Sequence, residues 1–159
     1  MIRLATHSPD ETAALGAAVA ARLRPRDVIV LTGGLGAGKT AFVKAVSAAL
    51  GIVETVRSPT FTLLHRYEGV VPVQHFDVYR LGSADEAADL GIEELLDDDV
   101  VSFIEWGEQV IGALPGDFLH VTLRLGEGDD DRFLEMVGLG RTWPTRLGAW
   151  TDVLERWVA

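Results

Sequence analysis

The chain has 159 residues, of which 48% are hydrophobic and 24% charged, a balance typical of a globular domain with its own core. Its formal net charge of −10 argues against unaided binding to RNA or DNA, because contacts with phosphates need a basic face. The lack of cysteine excludes disulfides and thiolate metal sites, and the lack of a long apolar run or secretion signal predicts a cytoplasmic protein without membrane contact.

The first predicted element is a helix that begins after Ser8 and runs to about Leu23. Ser8 has the hydroxyl expected of an N-cap, Pro9 suits the first helical position, and Glu11 completes a capping box. We interpret this element as a packed surface helix. The alternative is that its N-terminal half borders a nucleotide site.

A glycine-rich motif follows residues 27–32, whose apolar run predicts a buried strand. Residues 33–40 read G-x-x-x-x-G-K-T, the pattern of a phosphate-binding P-loop, and the apolar residues after them have helical spacing up to Gly51. Glycines let backbone N–H groups approach a triphosphate, Lys39 supplies a charge for the outer phosphates, and Thr40 is placed to ligate Mg²⁺. The predicted nucleotide-binding residues of this loop are Gly33, Gly34, Leu35, Gly36, Ala37, Gly38, Lys39 and Thr40.

A hydroxyl-rich turn, residues 58–61, comes soon after the predicted P-loop helix. Pro59 fixes its own backbone and favours an extended conformation at Ser58. Two interpretations have equal weight. The turn is either a nucleotide-sensing switch in which Thr60 reaches Mg²⁺ or the γ-phosphate, or a plain loop that enters the next strand.

Residues 61–68 and 70–80 predict two strands joined by a turn, and Asp77 closes the apolar part of the second. A carboxylate at a strand end near a P-loop is the Walker-B arrangement, which holds Mg²⁺ directly or through water. We expect His65 and His75 to be ordinary residues on the strand surface, because a metal site would need more ligands at recognisable spacing.

A second carboxylate, Glu105, ends the continuous apolar strand predicted over residues 100–106, after a capped helix that starts at Ser83 and an acidic turn. The ligand of an open α/β sheet lies at this end of its strands. The economical assignment gives Asp77 to Mg²⁺ and its waters. Glu105 then orients or deprotonates the attacking water, or shares the outer shell of the metal, and the sequence leaves this division open. The catalytic candidates are therefore Lys39, Asp77 and Glu105, with Thr40, Asp77 and Glu105 as metal candidates. Trp106 is either a wall of the site or a buried aromatic.

The last third of the chain predicts a hairpin and a helical tail. Residues 118–125 and 132–137 alternate like paired strands around a Gly- and Asp-rich turn, so the sheet is mixed. Residues 145–158 carry an apolar helical stripe, which we interpret as packing: Leu147, Trp150, Leu154 and Trp157. The fold class expected for residues 1–159 is α/β, a single-domain P-loop NTPase with a mixed central sheet flanked by helices and ending in a C-terminal helix, residues 145–159.

The choice of nucleotide rests on an element that the sequence lacks. Common GTPases read guanine with an N-K-x-D element, and neither Lys39 nor Lys44 follows an asparagine, so ATP is favoured. A small-molecule kinase of this size usually carries a lid with several arginines, whereas Arg57, Arg66 and Arg80 are scattered. Hydrolysis coupled to a partner is therefore preferred over phosphoryl transfer to a small acceptor.

Four sequence blocks together resemble the bacterial TsaE family, also called YjeE. They are G-x-L-G-A-G-K-T at residues 33–40, V-x-S-P-T-F at 56–61, H-F-D-x-Y-R-L at 75–81 and I-E-W at 104–106. The resemblance spans residues 1 to about 125, and the later segment, which lies outside it, is expected to be specific to a lineage. One departure is Gly34, where many members have an acidic residue.

The resemblance implies an ATPase, with Mg²⁺, that is required for threonylcarbamoyladenosine formation in tRNA. It implies TsaD and TsaB as partners, with tRNA reached only through them. By similarity, Lys39 and Thr40 bind phosphate and Mg²⁺, Asp77 supports the metal, Glu105 lies on the γ-phosphate side, and Thr60 belongs to the switch-like block. Two other functions stay open: a nucleotide-dependent binding module with incidental hydrolysis, and a small-molecule kinase.

Overall fold

The computed structural model describes residues 1–59, 63–96 and 99–159, and a seven-stranded sheet runs through its centre. The strands are β1 (Ile2–Thr6), β2 (Val28–Thr32), β3 (Leu64–Tyr67), β4 (Val73–Asp77), β5 (Val101–Glu105), β6 (Phe118–Leu125) and β7 (Arg132–Leu139). The helices are α1 (Pro9–Ala20), α2 (Lys39–Ala49), α3 (Ala84–Asp89), α4 (Ile92–Leu95), α5 (Trp143–Gly148) and α6 (Thr151–Leu154).

The sheet has the order β1-β7-β6-β2-β5-β4-β3, with a parallel centre and antiparallel edges. Strands β4, β5, β2 and β6 are parallel, whereas β3 and the pair β7 and β1 run antiparallel to their neighbours. All residues of β2, β4 and β5 are buried, as expected for strands covered on both faces. The predicted fold class, a mixed α/β sheet flanked by helices, is confirmed, and the carboxyl ends of four parallel strands meet at one edge.

The first strand and the end of the first helix differ from the expectations. β1 is not predicted from the sequence, because its five residues become a strand by pairing with β7 at the far end of the chain. Ser8 caps α1 by accepting a hydrogen bond from the Glu11 backbone N–H, as predicted. The helix ends at Ala20, earlier than expected, and turns at residues 21 and 22 lead towards β2.

Helices cover the sheet in two layers. α1 and α2 pack together on one face, where a Cβ on Gly16 would lie only 2.6 Å from the Cβ of Ala45, so Gly16 permits the close approach. On the other face, Val30, Phe76 and Ile104 form a second core cluster with α3, α4 and nearby 3-10 turns. Within the described ranges, no helix is long and apolar enough to cross a membrane.

The C-terminal tail is helical but is divided, whereas one helix over residues 145–158 was expected. α5 ends at Gly148, α6 follows, and a 3-10 turn over Glu155–Trp157 completes the segment. Glycine is a poor helix former, which explains the break after Gly148. The stripe interpreted as packing is buried: Leu147, Trp150, Leu154 and Trp157. Arg146 also ties the tail to the loop before β2 through a bidentate pair with the buried carboxylate of Asp27.

Trp143 is the largest fully buried side chain of the tail. It packs edge-on against Trp150, with ring centroids 5.5 Å apart, and the Arg146 guanidinium lies 4.2 Å from its ring centroid. We expect Trp143→Ala to lower the free energy of unfolding by about 3–5 kcal/mol, the usual cost of removing a buried aromatic side chain. Urea unfolding measures it, with exposed Arg141→Ala as the control. A loss below about 1 kcal/mol for Trp143→Ala would mean that the tail is not part of the core.

Candidate functional site

The glycine-rich loop leaves the carboxyl end of β2 and leads directly into α2. Its backbone has positive φ at Gly33 (133°) and Gly38 (103°), a region that L side chains rarely adopt. A Cβ on Gly33 would also lie 2.2 Å from the carbonyl oxygen of Leu123. Because α2 begins at Lys39, the positive end of its dipole and its unpaired backbone N–H groups are at the loop.

A cavity of about 550 Å³ lies in front of the loop, at the carboxyl edge of the sheet. It is lined by Leu35, Gly36, Gly38, Lys39, Thr40, Ala41, Ser58, Asp77, Tyr79, Glu105, Trp106 and Arg132. Asp77 and Glu105 are direct neighbours in the parallel register of β4 and β5, so both carboxylates reach the same cavity. A cationic loop therefore faces two acids across a space that can hold a phosphate chain.

Lys39 lies against the inner surface of its own loop. Its Nζ donates hydrogen bonds to the carbonyl oxygens of Gly33 (2.7 Å) and Gly34 (3.0 Å). Burial lowers the pKa of the Lys39 ammonium, and the negative charges of Glu105, Glu108 and Asp77 act in the opposite direction.

Trp106 forms a wall of the cavity. Its ring centroid is 3.6 Å from the Lys39 Nζ and 4.9 Å from the ring of Tyr79. The Trp106 backbone is left-handed, with φ of 63°, which costs about 1–3 kcal/mol for a residue of this size. This conformation turns the indole towards Lys39, so Trp106 belongs to the site and is only half-buried.

Glu105 is almost completely buried and holds two hydrogen bonds. Its Oε2 accepts from the Thr40 Oγ1 at 3.1 Å, and its Oε1 accepts from the His75 Nε2 at 2.8 Å. The expectation that His75 is a strand-surface residue is wrong, because its side chain has no exposed area. β4 is a central strand covered on both faces, so its residues do not alternate between core and solvent.

Asp77 is held by the turn that follows α2. Its Oδ2 accepts a hydrogen bond from the Ser58 hydroxyl, and its Oδ1 accepts from the backbone N–H of Tyr79 at 3.0 Å. The proposed switch residue Thr60 lies outside the described residues. Ser58, two residues earlier in the chain, is described and bonds one of the two carboxylates.

The predicted site residues divide into two groups around the loop. Leu35, Gly36, Gly38, Lys39, Thr40, Asp77 and Glu105 line the cavity. Gly33, Gly34 and Ala37 lie instead beside a neighbouring recess formed with β6, and two of them face Lys39 through their carbonyl groups. Among the described residues, no group of three or more His, Asp or Glu side chains could hold a metal alone. Any metal here would therefore need oxygen ligands from a bound phosphate and water.

Arg132 is a site residue that sequence reasoning missed. It enters the cavity from the start of β7, and its Nε would lie 3.3 Å from a Cβ on Gly38. Its Nη1 donates to the carbonyl oxygens of Asp129 and Asp131, both at 2.8 Å, which fixes the guanidinium. Only the pairing of β7 with β6 brings it near the loop, and no local spacing indicates this.

A second cavity, of about 400 Å³, shares Gly38, Ala41 and Arg132 with the first as lining residues. Its other lining residues come from the first turns of α1, from α2 and from the hairpin: Pro9, Thr12, Ala13, Lys44, Ala45, Leu123 and Asp130. α1 is packed as expected, and residues of its first turns line this second cavity. That its N-terminal half borders a nucleotide site stays a prediction.

Comparison with known proteins identifies one family. The family model for "Threonylcarbamoyl adenosine biosynthesis protein TsaE" matches residues 6–133. The tRNA threonylcarbamoyladenosine biosynthesis protein TsaE of Bacillus subtilis is 40% identical over 139 residues, covering 87% of this chain and 86% of the relative. The protein of the same name from Treponema pallidum is 43% identical over 124 residues, covering 78% and 92%. The crystal structure of Bacillus subtilis YdiB matches with a TM-score of 0.80 and 32% identity, covering 96% of this chain and 97% of that chain.

Proposed function

The chain belongs to the TsaE family, and on this basis we propose that it binds ATP with Mg²⁺ and hydrolyses ATP in support of threonylcarbamoyladenosine formation in tRNA. The observation that carries the proposal is the convergence of Lys39, Thr40 and two neighbouring carboxylates on one cavity at the start of α2. Lys39 can bind phosphate, Thr40 can bind a divalent cation, and the two carboxylates can support the cation or orient an attacking water.

The residues present are suited to Mg²⁺. Thr40 donates a hydrogen bond from its hydroxyl to Glu105, so the lone pairs of its Oγ1 are available to a cation on the cavity side. Asp77 adds a hard oxygen donor in the next strand, able to bind the cation or its waters. When bound, Mg²⁺ would neutralise charge on the outer phosphates, with Thr40 as its protein ligand and Asp77 and Glu105 in support.

Catalysis by the chain's own groups would be electrostatic and positional. Lys39 and the backbone N–H groups at the start of α2 would stabilise the charge that develops on the phosphoryl oxygens. Glu105, with both oxygens anchored, would orient the attacking water and accept its proton. A carboxylate fixed in this way needs little reorganisation during the reaction.

The adenosine moiety would occupy the second cavity. The two carboxylates would face the γ-phosphate, and the second cavity shares Gly38 and Ala41 with the first but neither carboxylate. Its lining is largely apolar, which suits a purine ring, and Arg132 stands at the junction, where a ribose or the inner phosphates would pass. This assignment gives the beginning of α1 a part in nucleotide binding.

Filling the second cavity tests this assignment. Ala13 is exposed on α1 and lines the cavity, so Ala13→Trp would place an indole where the adenine is expected. We expect the ATP affinity to fall about 10-fold or more, while inorganic tripolyphosphate binds as before. Calorimetry with both ligands measures this, and Ala17→Trp, one turn further along the helix, is the matched control. Equal losses for ATP and tripolyphosphate would contradict the assignment.

Partner proteins follow from the acidic character of the chain and from its family. A net charge of −10 gives little attraction to tRNA, so the RNA would be carried by TsaD and TsaB in the cytoplasm. The link from Ser58 to Asp77 suggests how a partner could sense the nucleotide, since the turn at Ser58 is connected to the carboxylates of the site.

Phosphate release with and without TsaD and TsaB tests the proposed activity. We expect slow release by the chain alone and faster release with both partners, with ATP preferred over GTP. Repeated tRNA modification supported by a non-hydrolysable ATP analogue would favour the binding module instead. Partner-independent phosphorylation of a metabolite without free phosphate would favour a kinase.

A further inference from the structure

We propose that His75 is a positioning residue, which holds Glu105 so that its second carboxylate oxygen can accept the Thr40 hydroxyl. The proposal rests on the proposed binding of ATP and Mg²⁺ at this site. It adds to the site one residue that does not itself line the nucleotide cavity. Its consequence is that the imidazole, two residues before Asp77 in β4, controls how strongly Mg²⁺ promotes ATP binding.

The contacts form a chain across three elements. From β4, the His75 Nε2 meets the Glu105 Oε1 at 2.8 Å, and from β5 the Glu105 Oε2 meets the Thr40 Oγ1, at the start of α2, at 3.1 Å. An ionised carboxylate only accepts hydrogen bonds, so both His75 and Thr40 donate to it. The Thr40 oxygen is left with its lone pairs for a cation. The orientation of Thr40 therefore depends on Glu105, and that of Glu105 on His75.

The stability of β4 does not explain why a histidine occupies position 75. Its side chain is fully buried, and among the described residues its Nδ1 has no hydrogen-bond partner. A buried polar atom without a partner destabilises the folded state, and an apolar side chain of similar size would avoid this loss. The hydrogen bond that the His75 side chain does make, among the described residues, is the one to Glu105.

No other described group replaces His75 at this oxygen. The Lys39 ammonium is directed to the carbonyl oxygens of Gly33 and Gly34, and the Thr40 hydroxyl takes the opposite oxygen of Glu105. Without the imidazole, the Glu105 Oε1 would be buried without its donor, and the carboxylate would gain by turning towards Lys39 or the cavity. Thr40 would then lose its acceptor. His75 does not line the cavity, so it acts through Glu105 and not on the ligand.

Calorimetric titration with ATP, in Mg²⁺ and in EDTA, tests the inference without relying on hydrolysis. We expect His75→Leu to reduce the Mg²⁺-dependent gain in ATP affinity by about 10- to 100-fold, as outer-shell partners of metal sites do, while the affinity in EDTA stays within about threefold. His75→Gln should restore most of the gain, since its amide N–H can reach the same oxygen. His75→Asn is too short to do so and should behave like His75→Leu, which provides a second variant if the leucine chain does not fold.

Gln74→Leu is the matched control. Gln74 is buried in the same strand and accepts a hydrogen bond from Ser102, so its loss removes a buried polar contact without touching Glu105. We expect this variant to keep the full Mg²⁺-dependent gain. A folded His75→Leu or His75→Asn chain that keeps the Mg²⁺-dependent gain in ATP affinity would overturn this inference and leave the proposed function standing. A wild-type chain whose ATP binding does not depend on Mg²⁺ would overturn the proposed function, and the inference with it.

Discussion

Lys39→Ala is expected to lower the affinity for ATP by about 100-fold or more, because it removes a partly desolvated ammonium from the phosphate loop. A charge-assisted hydrogen bond to phosphate contributes about 1.5–3 kcal/mol, and the positive charge of Lys39 adds attraction to the rest of the phosphate chain. Lys39→Ala also removes the hydrogen bonds from Nζ to the carbonyl oxygens of Gly33 and Gly34, so a change in the loop itself has to be separated from the lost phosphate contact.

Equilibrium titration with ATP measures the effect of Lys39→Ala. Arg22→Ala is the control, since it also removes one positive charge, from an exposed position at the end of α1. Thermal unfolding without nucleotide separates lost binding from lost folding. An ATP affinity within about threefold of wild type in a folded Lys39→Ala chain would show that the phosphates lie elsewhere.

Glu105→Gln is expected to lower the rate of ATP hydrolysis at saturating ATP by about 10²- to 10⁴-fold. Glutamine has nearly the same shape but cannot accept a proton from water, and its amide N–H₂ group would face a donor, Thr40 or His75, in place of an acceptor. Where Thr40 loses its acceptor, Mg²⁺-dependent ATP binding should weaken as in His75→Leu, so the rates are compared at ATP concentrations that saturate the variant.

Phosphate release at saturating ATP measures the effect of Glu105→Gln, with Glu108→Gln as its control. Glu108 is exposed, and its charge also acts on Lys39, but it is absent from the lining of the cavity. We expect the control to change the rate by less than about threefold, as usual for an exposed charge. A hydrolysis rate near wild type in Glu105→Gln would show that Glu105 is not a catalytic residue.

The features that are local in the chain could be predicted from the sequence. The loop, the strand before it and the helix after it come from one continuous stretch, in which glycine, lysine and apolar spacing agree. Asp77 and Glu105 could be placed near each other because both end apolar strands, and the carboxyl ends of parallel strands share an edge.

The features that depend on distant pairing could not be predicted. Arg132 reaches the cavity only because β7 returns beside β6, and β1 exists only because it joins β7. His75 was expected on the strand surface because no further metal ligands accompany it at recognisable spacing, but β4 lies between β3 and β5 and all of its residues are buried. The break at Gly148 divides a tail whose apolar spacing alone predicts one helix.

The central claim is that ATP hydrolysis at this site sustains repeated tRNA modification by the partner proteins. The most direct measurement is multi-turnover formation of threonylcarbamoyladenosine with purified TsaD and TsaB, tRNA and threonylcarbamoyl-adenylate, comparing the wild-type chain with Lys39→Ala and Glu105→Gln. We predict that the wild-type chain sustains turnover and that both variants stop after the first round. Full multi-turnover modification with both variants would contradict the claim.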